Sequence, residues 1–166
     1  MKVSWSKSTG ASGYNVYYKK GSGAWSAKPV SKTGTSATIS NLSAGAKYTF
    51  KVVPYVTIDG KKREGKAKSS EVITTLKKAT WGSVKKYNNS KVTLKWNAVS
   101  GATGYEIYRC KTANGTYAYV DETTKTSKVV KATKGTKYFY KIKAYKVVDK
   151  KKVYAPLSAY QEFRLK

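Results

Sequence analysis

The side chains that could carry out chemistry are few in this sequence. Among its 166 residues there is no histidine, one cysteine (Cys110), three aspartates and five glutamates. This excludes a Ser-His-Asp or Cys-His catalytic arrangement, a histidine-based zinc site, an internal disulfide and a paired-cysteine redox motif. We therefore predict no catalytic residue, no cofactor-binding residue and no metal ligand, and we expect no cofactor.

Two glutamates in the second half form the only conceivable pair of catalytic carboxylates. Glycoside hydrolysis requires two carboxyl groups that flank one glycosidic bond. Glu106 is expected on a strand and Glu122 after the following loop, so nothing in the sequence predicts that they meet. The interpretation that follows is that the chain is not an enzyme.

Basic residues dominate the charge of the chain. Lysines and arginines number 34, only three of them arginine, against eight acidic residues, which gives a net charge of +26. Such a surface attracts polyanions at low salt, but the lysines are scattered singly and in pairs, which favours a role in solvation. The scarcity of arginine argues against dedicated recognition of phosphates or bases. No specific nucleic-acid partner is expected.

The elements that must position these residues are short strands. Segments 48–53, 92–96 and 138–142 alternate between inward and outward residues and are rich in Val, Ile, Thr and Tyr, which indicates half-buried strands. Asp59-Gly60 predicts a two-residue type I′ hairpin turn, because Asp and Gly tolerate the positive φ that both positions of this turn require. No stretch keeps a helical period, so no helix is predicted. No apolar run reaches the roughly 20 residues that a membrane span needs.

The sequence repeats itself once. Segment 5–17 matches 96–108, and segment 45–52 matches 135–142, both at an offset of about 90 residues. Two matches at nearly one offset indicate a duplicated domain, and turns between short strands predict an antiparallel β-sandwich in each copy. The joint lacks a Gly/Ser or Pro run and is expected to be semi-rigid. The expected domains are 1–77 and 78–166.

Three features recur at matching places in the two copies. They are a tryptophan (Trp5, Trp96), a Gly-Ala-x-Gly-Tyr-x-[Val/Ile]-Tyr stretch after it, and a later tyrosine (Tyr48, Tyr138). With segment 41–53 they make each copy resemble a fibronectin type III domain, of the kind found in tandem in secreted and surface proteins of Gram-positive bacteria. The resemblance implies two immunoglobulin-like sandwiches, with Tyr48 and Tyr138 as the tyrosine corner of the family.

The same resemblance implies a function without catalysis. It suggests a segment of a larger secreted or cell-surface bacterial protein that acts as a spacer or adhesion module, located outside the cell or on the cell wall. Its partners would be the other domains of the parent chain and, in the alternative of a binding module, cell-wall or host anionic polysaccharides.

The first copy is expected to lack strand A, the first strand of this family. Segment 80–87 should form that strand in the second copy, whereas Met1 aligns with Val92, already inside the next strand. One interpretation is a fragment of a longer protein, which predicts a monomer. The other is strand addition from a second subunit, which predicts an assembly.

Aromatic residues divide into an inward and an outward set. The inward set is expected to fill the cores: Trp5, Tyr14, Tyr48, Trp96, Tyr105 and Tyr138. Outward rings interleaved with lysine suit stacking on sugars, the alternative being cross-strand pairs that stabilise the sheet. The possible ligand-binding face comprises Tyr17, Trp25, Tyr108, Tyr117, Phe139, Lys141, Lys143 and Tyr145.

Two hairpin tips could dock a polyanion, although solvated turn residues are the alternative interpretation. The possible polyanion contacts are Lys61, Lys62, Arg63, Lys150, Lys151 and Lys152. Cys110 has no histidine or second cysteine to work with and is expected to be inert.

Overall fold

The computed structural model describes all 166 residues, and its regular elements are 15 strands. The prediction of an all-β chain without helices is confirmed. The chain divides into two compact units, Met1–Thr74 (unit 1) and Thr75–Lys166 (unit 2). The structure contains no helix that is long and apolar enough to cross a membrane.

Unit 1 consists of seven strands in two antiparallel sheets. They are β1 (Lys2–Ser4), β2 (Gly13–Lys20), β3 (Val30–Lys32), β4 (Ser36–Thr38), β5 (Lys47–Ile58), β6 (Lys61–Glu64) and β7 (Lys68–Ile73). One sheet is the pair β1-β4, and the other has the order β3-β2-β5-β6 with β7 also on β5. The long strand β5 therefore organises the larger sheet.

Unit 2 repeats this plan with one more strand. Its strands are β8 (Trp81–Asn88), β9 (Lys91–Trp96), β10 (Gly104–Cys110), β11 (Ala118–Thr123), β12 (Ser127–Lys131), β13 (Lys137–Val148), β14 (Lys151–Tyr154) and β15 (Gln161–Arg164). The smaller sheet has the order β12-β9-β8, and the larger one has the order β11-β10-β13-β14 with β15 on β13. The added strand is β8, which pairs with β9 where β1 of unit 1 has no such neighbour.

The alternating residues fill the space between the sheets. In unit 1 the buried cluster includes Val16 from β2, Ile39 after β4, and Phe50 from β5. In unit 2 Leu94 and Ile142 are completely buried. Burying such side chains contributes about 1.5–3 kcal/mol each, which makes the two cores the main stabilising element of the fold.

A tryptophan–tyrosine pair recurs in both cores with the same geometry. The ring centroids of Trp5 and Tyr14 lie 5.4 Å apart at an interplanar angle of 60°. Those of Trp96 and Tyr105 lie 5.4 Å apart at 62°. Five of the six aromatic residues expected in the cores are buried, but Trp5 is only half-buried. The reason is the open edge of β1, since Trp81 of β8 lies opposite Trp96 in unit 2.

The buried tyrosines also fix loops through their hydroxyl groups. In unit 1, Tyr14 accepts a hydrogen bond from the amide of Ser8, at 2.7 Å, and Tyr48 accepts one from the amide of Ser43, at 3.0 Å. In unit 2, Tyr105 repeats the first of these bonds at its own loop. Each of these rings thus fills a core and also holds a connection in place, as the tyrosine corner does in immunoglobulin-like folds.

The predicted type I′ turn is confirmed, and the second unit carries the same turn without its glycine. Asp59 and Gly60 have φ values of 49° and 72°, between the paired residues Ile58 and Lys61. At the matching turn of unit 2, Asp149 and Lys150 have φ values of 49° and 64°. A side chain in this left-handed region costs roughly 1–2 kcal/mol. Both turns have an aspartate at the first position, so the turn of unit 2 carries the additional strain of Lys150 at the second position, where unit 1 has Gly60.

Replacing Lys150 by glycine should therefore raise the free energy of unfolding of unit 2, by roughly 0.5–1 kcal/mol after the entropy gained by the unfolded chain. The reciprocal change Gly60→Lys should destabilise unit 1 by about as much. Urea unfolding followed through the indole N–H signals separates the units, because Trp5 and Trp25 report unit 1 and Trp81 and Trp96 report unit 2. The strain assigned to Lys150 would be contradicted if Lys150→Gly did not stabilise unit 2, or if Gly60→Lys stabilised unit 1.

Candidate functional site

The outer face of the larger sheet in unit 1 brings two of the predicted rings together around one lysine. Tyr17 on β2 lies opposite Lys51 on β5. The ammonium nitrogen of Lys51 lies 4.7 Å from the ring centroid of Tyr17 and 4.7 Å from that of Trp25. Lys19 lies 5.2 Å from Trp25 on the same face. We call these four half-buried residues the unit 1 aromatic cluster.

Unit 2 builds a matching cluster at the equivalent place. Tyr108 on β10 lies opposite Lys141 on β13, whose ammonium nitrogen is 4.2 Å from the ring centroid of Tyr117. Tyr119 packs edge-on against Tyr108, with centroids 6.1 Å apart. Sequence reasoning missed Tyr119, which is 56% exposed, although its alternation with Ala118 and Val120 was a usable signal. These four residues form the unit 2 aromatic cluster: Tyr108, Tyr117, Tyr119 and Lys141.

Two other rings predicted for this face are covered by neighbours. Phe139 is 7% exposed because Tyr160 packs edge-on against it at 5.3 Å. Tyr145 is 6% exposed because Tyr154 packs against it at 6.1 Å. Neither ring is available to a ligand, and Tyr154 and Tyr160 are the rings exposed in their place. Lys143, the remaining predicted residue, lies 4.4 Å from the ring of Tyr154.

Glu106 and Glu122 meet, and the expectation that they do not is wrong. They are directly opposite across the antiparallel pair of β10 and β11. Lys152 lies between them, 3.0 Å from Glu106 and in contact with Glu122. Glu106 also accepts hydrogen bonds from the hydroxyl groups of Tyr108, at 2.7 Å, and Tyr154, at 2.8 Å. The sequence did not reveal this contact because it depends on the register across the 111–117 connection.

The protonation of these groups fits an ion network rather than a catalytic pair. Burial raises the pKa of Glu106, but the hydrogen bonds from Tyr108, Lys152 and Tyr154 outweigh it and hold the pKa below its ordinary value. Burial and the bond to Glu106 raise the pKa of Tyr108 to about 12. The bonds to Glu122 and Glu106 raise the pKa of Lys152. A glycosidase acid needs a raised pKa, which is the opposite of the direction at Glu106.

Unit 1 also has a carboxylate at the equivalent place, but it comes from a different strand. Asn15 stands where unit 2 has Glu106, and Glu64 of β6 stands where unit 2 has Tyr154. Glu64 accepts hydrogen bonds from the amide of Asn15, at 2.5 Å, and from the hydroxyl of Tyr17, at 3.1 Å. Each unit therefore places one carboxylate beneath its outward tyrosine.

The hairpin tips are partly occupied by contacts within the protein. All six predicted polyanion contacts are exposed at the two hairpins: Lys61, Lys62, Arg63, Lys150, Lys151 and Lys152. The ammonium group of Lys62 lies 4.3 Å from the ring of Tyr55. Lys152, the sixth, is held by two carboxylates and lies 4.3 Å from Tyr145, so it is not free to contact a polyanion.

The pKa of the single thiol is lowered by its surroundings. Cys110 is free and half-buried. The backbone hydrogen bond from Thr112 and the nearby charge of Lys141 lower the pKa of Cys110, which raises the thiolate fraction near neutral pH.

Substituting Glu106 by glutamine should lower the free energy of unfolding of unit 2 by roughly 1–2 kcal/mol at neutral pH, because bonds to a charged group are lost. Since the folded pKa of Glu106 lies below the ordinary value of 4.5, its contribution is present above that pH and disappears as pH falls through the folded pKa. The difference between wild type and variant should therefore shrink in acid. Urea titrations followed at the indole N–H of Trp96 measure it.

Glu122→Gln serves as the matched control, because the side chain of Glu122 is 45% exposed and contacts only Lys152, which it shares with Glu106. Its cost should stay below about 0.5 kcal/mol, as for surface ion pairs. Equal losses for the two variants at neutral pH would mean that the buried bonds of Glu106 do not stabilise the sheet.

Comparison with known proteins shows the fold. Residues 1–75 match the family model of the fibronectin type III domain. The chain is 33% identical over 163 residues to chitinase A1 of Niallia circulans, a match that covers 87% of this chain and 21% of the chitinase. It resembles the two-domain fibronectin type III segment of chicken tenascin with a TM-score of 0.71 and 19% identity, covering 98% of this chain and 90% of that chain. The predicted fold class, two tandem sandwiches of this type, is confirmed.

Proposed function

We propose that this pair of fibronectin type III-like sandwiches is a non-catalytic spacer within a larger exported bacterial protein, located outside the cell or on the cell wall. The fibronectin type III fold is typically a non-catalytic module. The observation that carries the proposal is the ion network of unit 2, because the one converging pair of carboxylates is bound by Lys152. The modules would be 1–77 and 78–166, and their partners the other domains of the parent chain.

Binding to immobilised glycans at two salt concentrations tests the spacer. Contacts between exposed charges are screened beyond about 8 Å at physiological ionic strength, so a +26 chain acting as a spacer should elute at that salt from teichoic acid, peptidoglycan and heparin alike. At low salt it should be retained equally by all polyanions. Selective retention of one glycan at high salt would overturn the proposal.

A second candidate function is recognition of a cell-wall or host glycan by the aromatic clusters. The specific observation in its favour is a half-buried ring with a lysine ammonium group over it in each unit, Trp25 with Lys51 in unit 1 and Tyr117 with Lys141 in unit 2. Partly exposed aromatic faces suit stacking on sugar rings, and adjacent lysines suit acidic groups. The related chitinase, which carries a matching segment, makes chitin oligomers a suitable neutral probe.

Truncation of the exposed rings tests this candidate. Trp25→Ala and Tyr119→Ala should each weaken high-salt binding to chitin oligomers or to an anionic glycan by about tenfold, the value of one stacking contact. Tyr87→Ala is the control, since Tyr87 is 62% exposed but lies on β8, outside both clusters. Isothermal titration calorimetry measures the change. Equal affinity of all three variants and wild type would remove the aromatic clusters from binding.

A third candidate is an assembling subunit completed by strand donation. Its support is the open edge of β1, which borders a groove of about 460 Å³ lined by residues that include Trp5, Tyr14 and Phe50. An unpaired edge beside apolar side chains can accept an added strand. The occupant would be a β-strand from a second chain that pairs as β8 pairs with β9.

Sedimentation equilibrium over a hundredfold range of concentration distinguishes assembly from the spacer. A strand-donated assembly should gain mass with concentration and should lose that behaviour when a copy of segment 80–88 is grafted ahead of Met1. A constant monomer mass in both proteins would exclude strand donation and agree with the spacer.

A further inference from the structure

Two lysines face each other without a counter-charge at one end of unit 2. Lys91 begins β9 and Lys131 ends β12, and the two are direct partners in the antiparallel pair. Like charges directly opposite each other destabilise a sheet. No carboxylate lies within ion-pair distance of either ammonium group. This arrangement would be stabilised by an anion.

The guanidinium group of Arg109 is fixed beside these lysines. It donates a hydrogen bond to the carbonyl oxygen of Lys131, at 2.7 Å, and its central carbon lies 4.4 Å from the ring centroid of Tyr138. The hydrogen bond and the stacking set the plane and direction of the group. Because a guanidinium carries five N–H donors in a rigid fork, the donors that remain are preorganised for a planar pair of oxygen atoms.

These cations line one open groove. The groove has a volume of about 480 Å³, and Lys134 adds a fourth cation to its wall. Ser90 and Thr133 also line it; the Ser90 hydroxyl donates to Asn88, and the Thr133 hydroxyl accepts from Tyr138. Asp121 lines an adjoining groove that shares Lys91, Arg109 and Lys131, and its carboxylate pairs with Lys128, at 2.9 Å, rather than with these three cations. We call Lys91, Arg109, Lys131 and Lys134 the basic groove.

Unit 1 does not have this site, although it has the same sheet. Tyr18 occupies the position that matches Arg109 and packs against Tyr48, with centroids 6.4 Å apart, as Arg109 packs against Tyr138. The stacking position on the corner tyrosine is therefore common to both units, but only unit 2 places a cation there. The chain thus supplies a replacement for Arg109 that the fold tolerates.

We propose that the basic groove of unit 2 binds a tetrahedral oxyanion, a phosphate or sulfate group carried on an anionic polymer. Arg109 contacts two of its oxygen atoms, and the lysines neutralise its charge. The site lies at the opposite end of unit 2 from the β13–β14 turn and does not use the aromatic clusters. It goes beyond the spacer role, since a chain that binds such a polymer at physiological salt is more than a spacer.

The test is an NMR titration of the isotope-labelled chain at about 0.15 M salt, where weak surface attraction is screened. One arm uses inorganic pyrophosphate, and the other uses a sulfated disaccharide. The expected result is saturable shifts of the Arg109 side-chain N–H and of the amides of Ser90 and Thr133. Binding in one arm or both supports the site and identifies its preferred oxyanion.

Two double variants with the same charge change locate the binding. Arg109→Gln with Lys131→Gln should weaken binding at least tenfold, whereas Lys150→Gln with Lys151→Gln should weaken it less than twofold. Arg109→Lys keeps the charge but removes the fork, and it should lose several-fold. If the double variant fails to fold, Arg109→Tyr measures the loss of oxyanion binding instead, because it places at this position the residue that unit 1 has there.

Several outcomes would overturn the proposal. Equal weakening by the two double variants would show attraction to net charge alone. Greater weakening by the Lys150 and Lys151 variant would move the site to the hairpin tip. The absence of saturable shifts in both arms would show that the basic groove binds no oxyanion.

Discussion

The rest of each sandwich depends on two adjacent residues, a glycine and a tyrosine, at the start of β2 in unit 1 and of β10 in unit 2. In unit 1 the ring of Tyr14 packs on Trp5 inside the core, and its hydroxyl holds the loop at Ser8. Gly13, one residue earlier, faces the other side, where a Cβ atom would collide with the hydroxyl end of Tyr55. The missing side chain lets that outward tyrosine lie against the sheet. Two adjacent residues thus fix the core, a loop and the outer face, and unit 2 repeats the arrangement.

The few acidic residues are placed where they stabilise the sheets. Glu106 and Glu122 bind Lys152, and Asp121 binds Lys128. Similar pairs join Lys47 to Glu71 and Lys137 to Glu162. Because eight acidic residues are too few to pair with 34 basic ones, most lysines face solvent without a counter-charge. Strand register brings two of these lysines, Lys91 and Lys131, directly opposite each other.

The parts of the structure that local sequence determines were predictable, and the parts that depend on register were not. Alternation along short segments predicted the strands, and the Asp59-Gly60 pair predicted one turn type. The internal repeat, which can be read directly from the sequence, predicted the two sandwiches. The meeting of Glu106 with Glu122 and the cover that Tyr160 places on Phe139 depend on strands joined by irregular connections. Arg109 shows the same limit, because counting arginines in the sequence could not show that one is fixed beside two unpaired lysines.

The central position of β5 and β13 has a consequence for biosynthesis. Until β5 leaves the ribosome, β2 can pair only with the short β3, and one long edge of β2 remains open. Exposed edges of nascent strands are where chains aggregate, and charged residues at their ends oppose this. Lys19 and Lys20 close β2 with two positive charges. Lysines that contact Trp25 and Ser43 in the folded state can thus also protect the chain during the interval in which its sheets are incomplete.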